Sequence, residues 1–367
     1  MKKKELVEMW EYLHQHPEVS WDEHGTTNYL MNHFKQAGFH PVAFESIPGF
    51  YVDVGTGKPK VGLRADMDGL LQEINGILQA NHSCGHDAHM TIVTGVMHRL
   101  KEIEKKLNGS VRAIFQPAEE VGNGAVKVVE MGIVDELVYL FGVHVRPKNE
   151  IPYPKCAPGI QHGSCAFVKG KIKGDDHHGA RPNEGINAIE VGSSIMQHLK
   201  HLHTKPQVPT SVKITQFHAG GDHLNIIPGS ATFGFDLRAQ TNEVMNEIKE
   251  KLASIITYVS ALYEVEITYK IKDHIPAAII STEAEAKVEQ AIKEILGPDL
   301  LQPRIITSGS DDFHYFTLMR PQIKATMLAL GADVLPGLHH PNMRFNTQAI
   351  ENGVNILLQS CLLALES

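Results

Sequence analysis

What is scarce in this chain narrows its class before any motif is read. Cysteine occurs only at Cys84, Cys156, Cys165 and Cys361, too few and too scattered in 367 residues for a disulfide framework. Cys361 lies in the apolar run NILLQSCLLALE, where a thiol packs as core, and Cys156 and Cys165 have no histidine or acid cluster at ligand spacing. No stretch approaches the roughly 20 consecutive apolar residues of a bilayer-spanning helix, which excludes a helical membrane anchor. Excess positive charge is missing too. Lys and Arg number 34 against 42 Asp and Glu, the formal net charge is −8, and no basic run goes beyond Lys2-Lys3-Lys4. This acidic balance argues against nucleic acid or an anionic membrane as the main partner. A signal-peptide core is absent, since Leu6, Trp10 and Leu13 fall at i, i+4 and i+7 among charged residues, as on a surface helix. A soluble, cytoplasmic protein is expected.

What is present is ordinary globular composition, 42% hydrophobic and 21% charged, in a chain longer than one core serves well. Two domains are therefore expected. From 49 to 145, the strand-like runs YVDVG, VGLRAD, VRAIFQ and LVYLFGVHV alternate with helical stretches near 87–105 and 121–132, an α/β pattern. From about 166 to 275 the pattern changes. AFVKGKIKG, a helical stretch at 185–202, SVKITQFHAG, ATFGFDLRAQ, a helix near 243–262 and VEITYKIKD follow in the order β-α-β-β-α-β, the ferredoxin-like unit. KATMLALGA and a long helix from about 346 return to α/β character. The expected architecture is an α/β catalytic domain with a central mixed sheet, residues 1–165 and 276–367, interrupted by a lid and dimerisation domain, residues 166–275.

One short segment stands out. NHSCGHDAH, residues 81–89, packs His82, Cys84, His86, Asp87 and His89 into nine positions, in a chain with 22 histidines. Coincidence does not account for its company. In open α/β sheets ligands bind beyond the carboxyl ends of the strands. There the sequence places Asp66-Met67-Asp68, Pro117-Ala118-Glu119-Glu120, His144 and the start of the helix after the cluster, while GLHHPN adds His339 and His340 in a turn. A c-type haem needs C-x-x-C-H, and a structural zinc finger needs a second local Cys/His pair; neither is present. A hydrolytic metal site fits the mixed N, S and O donors. Adjacent carboxylates at Glu119-Glu120 point in different directions, so one can bind metal while its neighbour takes the proton of the water that the metal activates.

These residues resemble the M20 metallopeptidase family, in the amidohydrolase branch with aminoacylase-like, hippurate-hydrolase-like and auxin-conjugate-hydrolase-like enzymes. The resemblance runs through HQHPEVS, GLRADMD, HSCGHDAH, QPAEE, GVHV, HGARP, GGDHLNIIPG, DLR, SGSDDF and LHHP. Among narrower groups, the compact GLLQEINGILQANHSCGHDAHM is similar to AmhX-like amidohydrolases. The resemblance implies two divalent metal ions (Zn, Mn, Ni or Co), with Cys84 bridging them. His86 and His144 would hold one ion, Glu120 and His339 the other, and Glu119 would be the general base and acid. His178 would steady the substrate oxyanion, often from a neighbouring subunit of a homodimer formed through the lid. Asn225, Arg238 and Gly309 would hold the substrate, Arg238 taking a carboxylate. Three departures are seen against that resemblance: Asp68-Gly69-Leu70-Leu71 stands for the family's DALP, the path from there to Cys84 is shorter than in most relatives, and Asp311 stands where relatives carry glutamate.

The expected function is metal-dependent hydrolysis of the amide bond of small N-acyl amino acids. A dipeptidase or aminopeptidase would use the same water and recognise a free α-amine. A metal- or partner-binding relic is the non-catalytic alternative; an unliganded Glu119 beside the metals speaks against it.

Overall fold

A computed structural model of the chain describes residues 1–366. Helices α1 (Lys3–Gln15) and α2 (His24–Gln36) precede strands β1 (Val42–Ala43), β2 (Phe50–Gly55) and β3 (Pro59–Asp66). A hairpin follows, β4 (Leu70–Ile74) and β5 (Ile77–Asn81), then α3 (His86–Glu102), β6 (Ser110–Gln116), α4 (Gly124–Glu130), β7 (Tyr139–Pro147), β8 (Cys156–Ala157) and β9 (Ile160–His162). Next come β10 (Ser164–Lys173), β11 (His177–His178), α5 (Ala188–Lys200), β12 (Thr210–Ala219), β13 (Ile226–Ile227), β14 (Ala231–Ala239), α6 (Asn242–Leu262) and β15 (Glu266–Ile275). The chain ends with α7 (Thr282–Leu296), β16 (Ile305–Thr307), α8 (His314–Met319), β17 (Lys324–Val334) and α9 (Gln348–Leu365). Among the described residues, no helix is long and apolar enough to cross a membrane.

The chain divides into two compact units: Met1–Gln161 with Ile279–Ile306 and Asp311–Ser367, and His162–Ala278 with Thr307–Ser310. The larger unit is built on a seven-stranded mixed sheet in the order β1-β2-β6-β3-β7-β17-β8. Its centre is parallel, β6 with β3, β3 with β7, and β7 with β17; the outer pairs are antiparallel. Strands buried on both faces read as continuous rather than alternating apolar runs. Accordingly, from Val61 to Asp66 every residue of β3 is buried, including Arg64. One apolar cluster packs the sheet against α1, α3, α7 and α9, with Leu6, Val93, Val288 and Leu357 among its members. A second, with Leu140, Met327, Val128 and Phe316, packs it against α4 and α8.

The smaller unit is the ferredoxin-like lid. Its antiparallel sheet has the order β12-β14-β10-β15. Val191 and Ile195 of α5 and Ile248 and Leu252 of α6 pack with Val168, Phe235 and Leu237 of the strands. The lid takes in Thr307–Ser310, hence Gly309, because Gly163 N–H donates to Thr307 O and Gly309 O. A chain distance of over 140 residues hides that pairing from the sequence boundaries at 166 and 275.

Candidate metal centre and substrate site

The centre is assembled at the end of the parallel strands. Helix α3 begins at His86, and Gly85 before it adopts φ +92. That left-handed conformation suits glycine, and a Cβ here would meet Val145 Cγ2 at 2.4 Å. Gly85 thus reverses the chain between Cys84 and His86, so both side chains turn to the same centre.

Cys84, His86 and His144 each bring a donor atom to within 4.8 Å of the others, and so do Cys84, Glu120 and His339. Cys84 belongs to both groups. Its Sγ stands 3.6 Å from His144 Nε2 and 3.3 Å from His339 Nε2, which is 3.5 Å from Glu120 Oε2. A tetrahedral ion with ordinary metal–nitrogen and metal–sulfur bonds keeps such donors about 3.6 Å apart. His86 Nε2 and Glu120 Oε1 are buried without a hydrogen-bond partner. Unpartnered buried donors of this kind are costly unless something ligates them. The donor set fits divalent ions.

Glu119 lies beside these groups. It is 8% exposed, and its Oε2 is 3.9 Å from His86 Nε2. The turn that carries both glutamates is held by carboxyl groups. Glu23 Oε1 accepts from Ala118 N–H at 2.7 Å, while Asp68 Oδ1 and Oδ2 accept from Glu119 N–H and Glu120 N–H at 3.1 and 3.0 Å. Ala118, at φ +56, opens the successive amides into this anion-binding nest. Ser20 Oγ also donates to Asp68, and Asp68 Oδ1 faces His86 Nδ1 at 3.2 Å, so one carboxylate positions His86 and the Glu119–Glu120 turn together. The sequence places Asp68 at the strand end, whereas Glu23 in WDEHG carries no local signal.

Two other members of the 81–89 cluster, His89 and Asp87, are taken up by hydrogen bonds to the surrounding protein. His89 uses both ring nitrogens: Nδ1 bonds Asp66 Oδ1 at 2.7 Å and Nε2 accepts from Val145 N–H at 3.1 Å. Asp87 accepts from Trp10 Nε1, His14 Nδ1 and Ala88 N–H. Arg64, fully buried, spans Asp66 and Asp312 and also donates to Gln116. His340, the neighbour of His339, is exposed and accepts from Asn342 N–H.

The electrostatics are those of crowded, buried donors. Burial pushes the Cys84 thiol well up, with Glu120 adding to it. Burial, then Asp311 and Glu120, raise Glu119 well above the carboxylate range, and burial carries Glu120 up to about 7. Burial, with His89 next, holds His144 well down, so that its imidazole is neutral and suited to ligation. Cations favour thiolate and carboxylate over their protonated forms.

The lid residues fall into two groups. Arg238 and Gly309 line one cavity of about 430 Å³ together with Ser164, Ser211 and Gln240. Arg238 Nε and Nη2 donate to Asp236 at 2.7 and 3.2 Å. His178 and Asn225 meet elsewhere in the lid: His178 pairs with Ile226, and Gly179 N–H donates to Asn225 O. Both residues are exposed.

The sequence pattern of Peptidase family M20/M25/M40 matches residues 62–362. The chain belongs to peptidase family M20. IAA-amino acid hydrolase ILR1-like 4 of Arabidopsis thaliana is 31% identical over 325 residues, 83% of this chain and 72% of that protein. N-acetyl-L-cysteine deacetylase of Bacillus subtilis is 27% identical over 377 residues, 99% of this chain and 89% of that protein. The crystal structure of the Bacillus subtilis YXEP protein, described as a dinuclear metal-binding peptidase from the M20 family, superposes with a TM-score of 0.84. It is 24% identical, with 99% of this chain and 98% of that one covered, which establishes the shared fold. Within family M20 these relatives are hydrolases of amide bonds, and this chain is a hydrolase of the same family.

Proposed function

We propose that this family M20 hydrolase is a dinuclear metal-dependent amidohydrolase that cleaves N-acyl amino acids to a carboxylic acid and a free amino acid. One observation carries the reading: Cys84 is common to two three-donor groups, with Glu119 beside them. His86 and His144 would hold one ion with Cys84, and Glu120 and His339 the other. Two divalent ions held there would supply Lewis acidity, lowering the pKa of a water and polarising the scissile carbonyl. Glu119 takes the proton from that water and delivers it to the leaving amine nitrogen. Its buried, carboxyl-rich setting favours the protonated form it holds between those transfers.

In the lid, Arg238 takes the carboxylate of the amino-acid half. A guanidinium has five N–H donors; Asp236 occupies two and fixes the plane of the fork. Gly309, on the wall of the same cavity, presents backbone to the substrate. Asn225 contributes to holding the substrate, and His178 steadies the oxyanion. His178 acts from the partner subunit of a homodimer formed through the lid, a reading supported by its exposure on a short surface strand pair.

The test is a substrate panel on chelator-stripped protein with added Zn, Mn, Ni or Co: N-acetyl and N-benzoyl amino acids, their amides, and dipeptides. Metal-restored turnover of the acyl acids is expected, with Arg238→Ala weakening the acids far more than their amides. Turnover of dipeptides alone would assign a dipeptidase, and absence of metal-dependent turnover a non-catalytic relic.

A further inference from the structure

The segment between Asp68 and Cys84 forms a two-stranded hairpin of its own. β4 and β5 pair from Leu70↔Asn81 to Ile74↔Ile77 around an Asn75-Gly76 turn, whose φ values are +53 and +80. This is a tight turn whose twist matches the strands. The base of the hairpin is fixed, with Gly69 N–H donating to Glu18 O at 2.7 Å.

The hairpin reaches the loop that carries His339. Gln72 Nε2 donates to His339 O at 2.7 Å. Asn81 Nδ2 donates to Gln72 Oε1 at 2.9 Å and to Pro341 O at 3.0 Å. The oxygen end of the Gln72 amide is therefore committed to Asn81, which turns its NH₂ end to His339. On the other side, His339 N–H donates to Ser83 O at 2.7 Å. Both backbone polar groups of His339 are thus tied to the segment 72–83, one through the hairpin and one through the residue before Cys84.

His339 needs such ties. It sits at φ +64, a left-handed conformation that a non-glycine residue keeps only where its surroundings hold it. Its side chain is 53% exposed, so core packing does not fix it. Its Nε2 nevertheless stands against Cys84 Sγ and Glu120 Oε2. Of the other proposed ligands, Cys84, His86 and His144 are buried and Glu120 is half-buried; His339 is the exposed one.

We infer that the β4–β5 hairpin is a clamp on His339 and sets the affinity of one of the two metal positions, that of Cys84, Glu120 and His339, with Gln72 and Asn81 as positioning residues. The inference rests on the two-ion reading above. Residues that orient a metal ligand are typically worth roughly 10- to 100-fold in metal affinity, and here the loss is confined to one ion.

The experiment titrates chelator-stripped full-length protein with Co²⁺, followed by calorimetry and by the absorption of the cobalt–thiolate bond. Wild type is expected to take up two equivalents. Gln72→Ala and Gln72→Met are expected to bind one equivalent as wild type does and the second roughly 10- to 100-fold more weakly, approaching His339→Ala. Gln72→Met keeps the stem and drops only the amide, its donor to His339 and its acceptor for Asn81, so a melting-temperature loss confined to Gln72→Ala does not decide the result. Glu73→Ala, at the neighbouring position of the same strand, is expected to bind both equivalents normally. Gln72 variants with two unchanged equivalents, or with both weakened alike, would overturn the clamp while leaving the two-ion reading intact. A single equivalent in wild type would overturn the two-ion reading itself, and the clamp with it.

Discussion

His339 Nε2 lies 3.3 Å from Cys84 Sγ, although 255 residues separate the two in the chain. Cys84 Sγ also stands 3.6 Å from His144 Nε2, so this one thiol joins the two donor groups into one centre. The proposed roles are separable, because each side chain can be removed without dismantling the sheet beneath.

The two neighbouring glutamates should fail differently. Glu119→Gln keeps the donor groups and should retain metal while losing about 10²–10⁴-fold in turnover, the usual worth of a positioned proton carrier. Glu120→Gln should lose metal first and activity as a consequence. Metal content by elemental analysis beside kcat separates them, and exchanged phenotypes would reverse the assignment.

Gly85→Ala should disrupt the centre through the backbone. A left-handed residue other than glycine costs roughly 1–2 kcal/mol, and the added Cβ would press Val145 from 2.4 Å. Gly57, at φ +81, has nothing within 4 Å of a Cβ, so Gly57→Ala carries the backbone cost alone. Denaturant midpoints and metal content should both fall for Gly85→Ala, with only the midpoint moving for Gly57→Ala.

A pH dependence of stability is expected at His14, whose partner Asp87 follows the proposed ligand His86. Its hydrogen bond to Asp87 raises its pKa above the usual imidazole value, against burial. The native state therefore favours the protonated form. That stability is complete below the unfolded value of about 6.5 and is lost as pH rises through the higher folded value. The gap in denaturant midpoint between wild type and His14→Ala should narrow as pH rises past neutrality. Trp10, stacked on His14 with ring centroids 5.1 Å apart, offers the fluorescence readout. A gap that stays constant with pH would remove the ion pair from the explanation.

Complementation tests the proposed homodimer. Glu119→Gln and His178→Ala should each be nearly inactive alone. Mixed with subunit exchange, half the dimers carry both chains and each of those has one complete site, so activity should return to about a quarter of wild type. Activity that stays at the parental level after demonstrated exchange would place His178 outside the partner's site.

The sheet and the lid were legible because their strands carry strong β patterns, from VGLRAD to ATFGFDLRAQ. Observed bounds differ mostly at ends: β7 continues past His144 to Pro147, since His144 is one of its buried residues rather than its terminus. The hairpin at 70–81 went unread, because Leu71, Ile77 and Leu78 are exposed and no clean alternation marks a face. Its Asn75-Gly76 pair was the available signal. The nest around Glu119 and Glu120 could not be read at all. Glu23 and Ala118 are 95 residues apart, and only the folded chain shows that a buried glutamate holds that amide.

The position of β17 governs when the enzyme can exist during synthesis. β17 lies between β7 and β8, and β8 has no other neighbour in the seven-stranded sheet. A growing chain that has emerged only as far as Ala278 holds most of a finished lid, yet its larger unit still shows β7 as a bare sheet edge. Cys84 has by then emerged without His339, its neighbour at 3.3 Å in the folded chain. A chain stopped there carries an adhesive edge and an unguarded thiol rather than a weakened hydrolase.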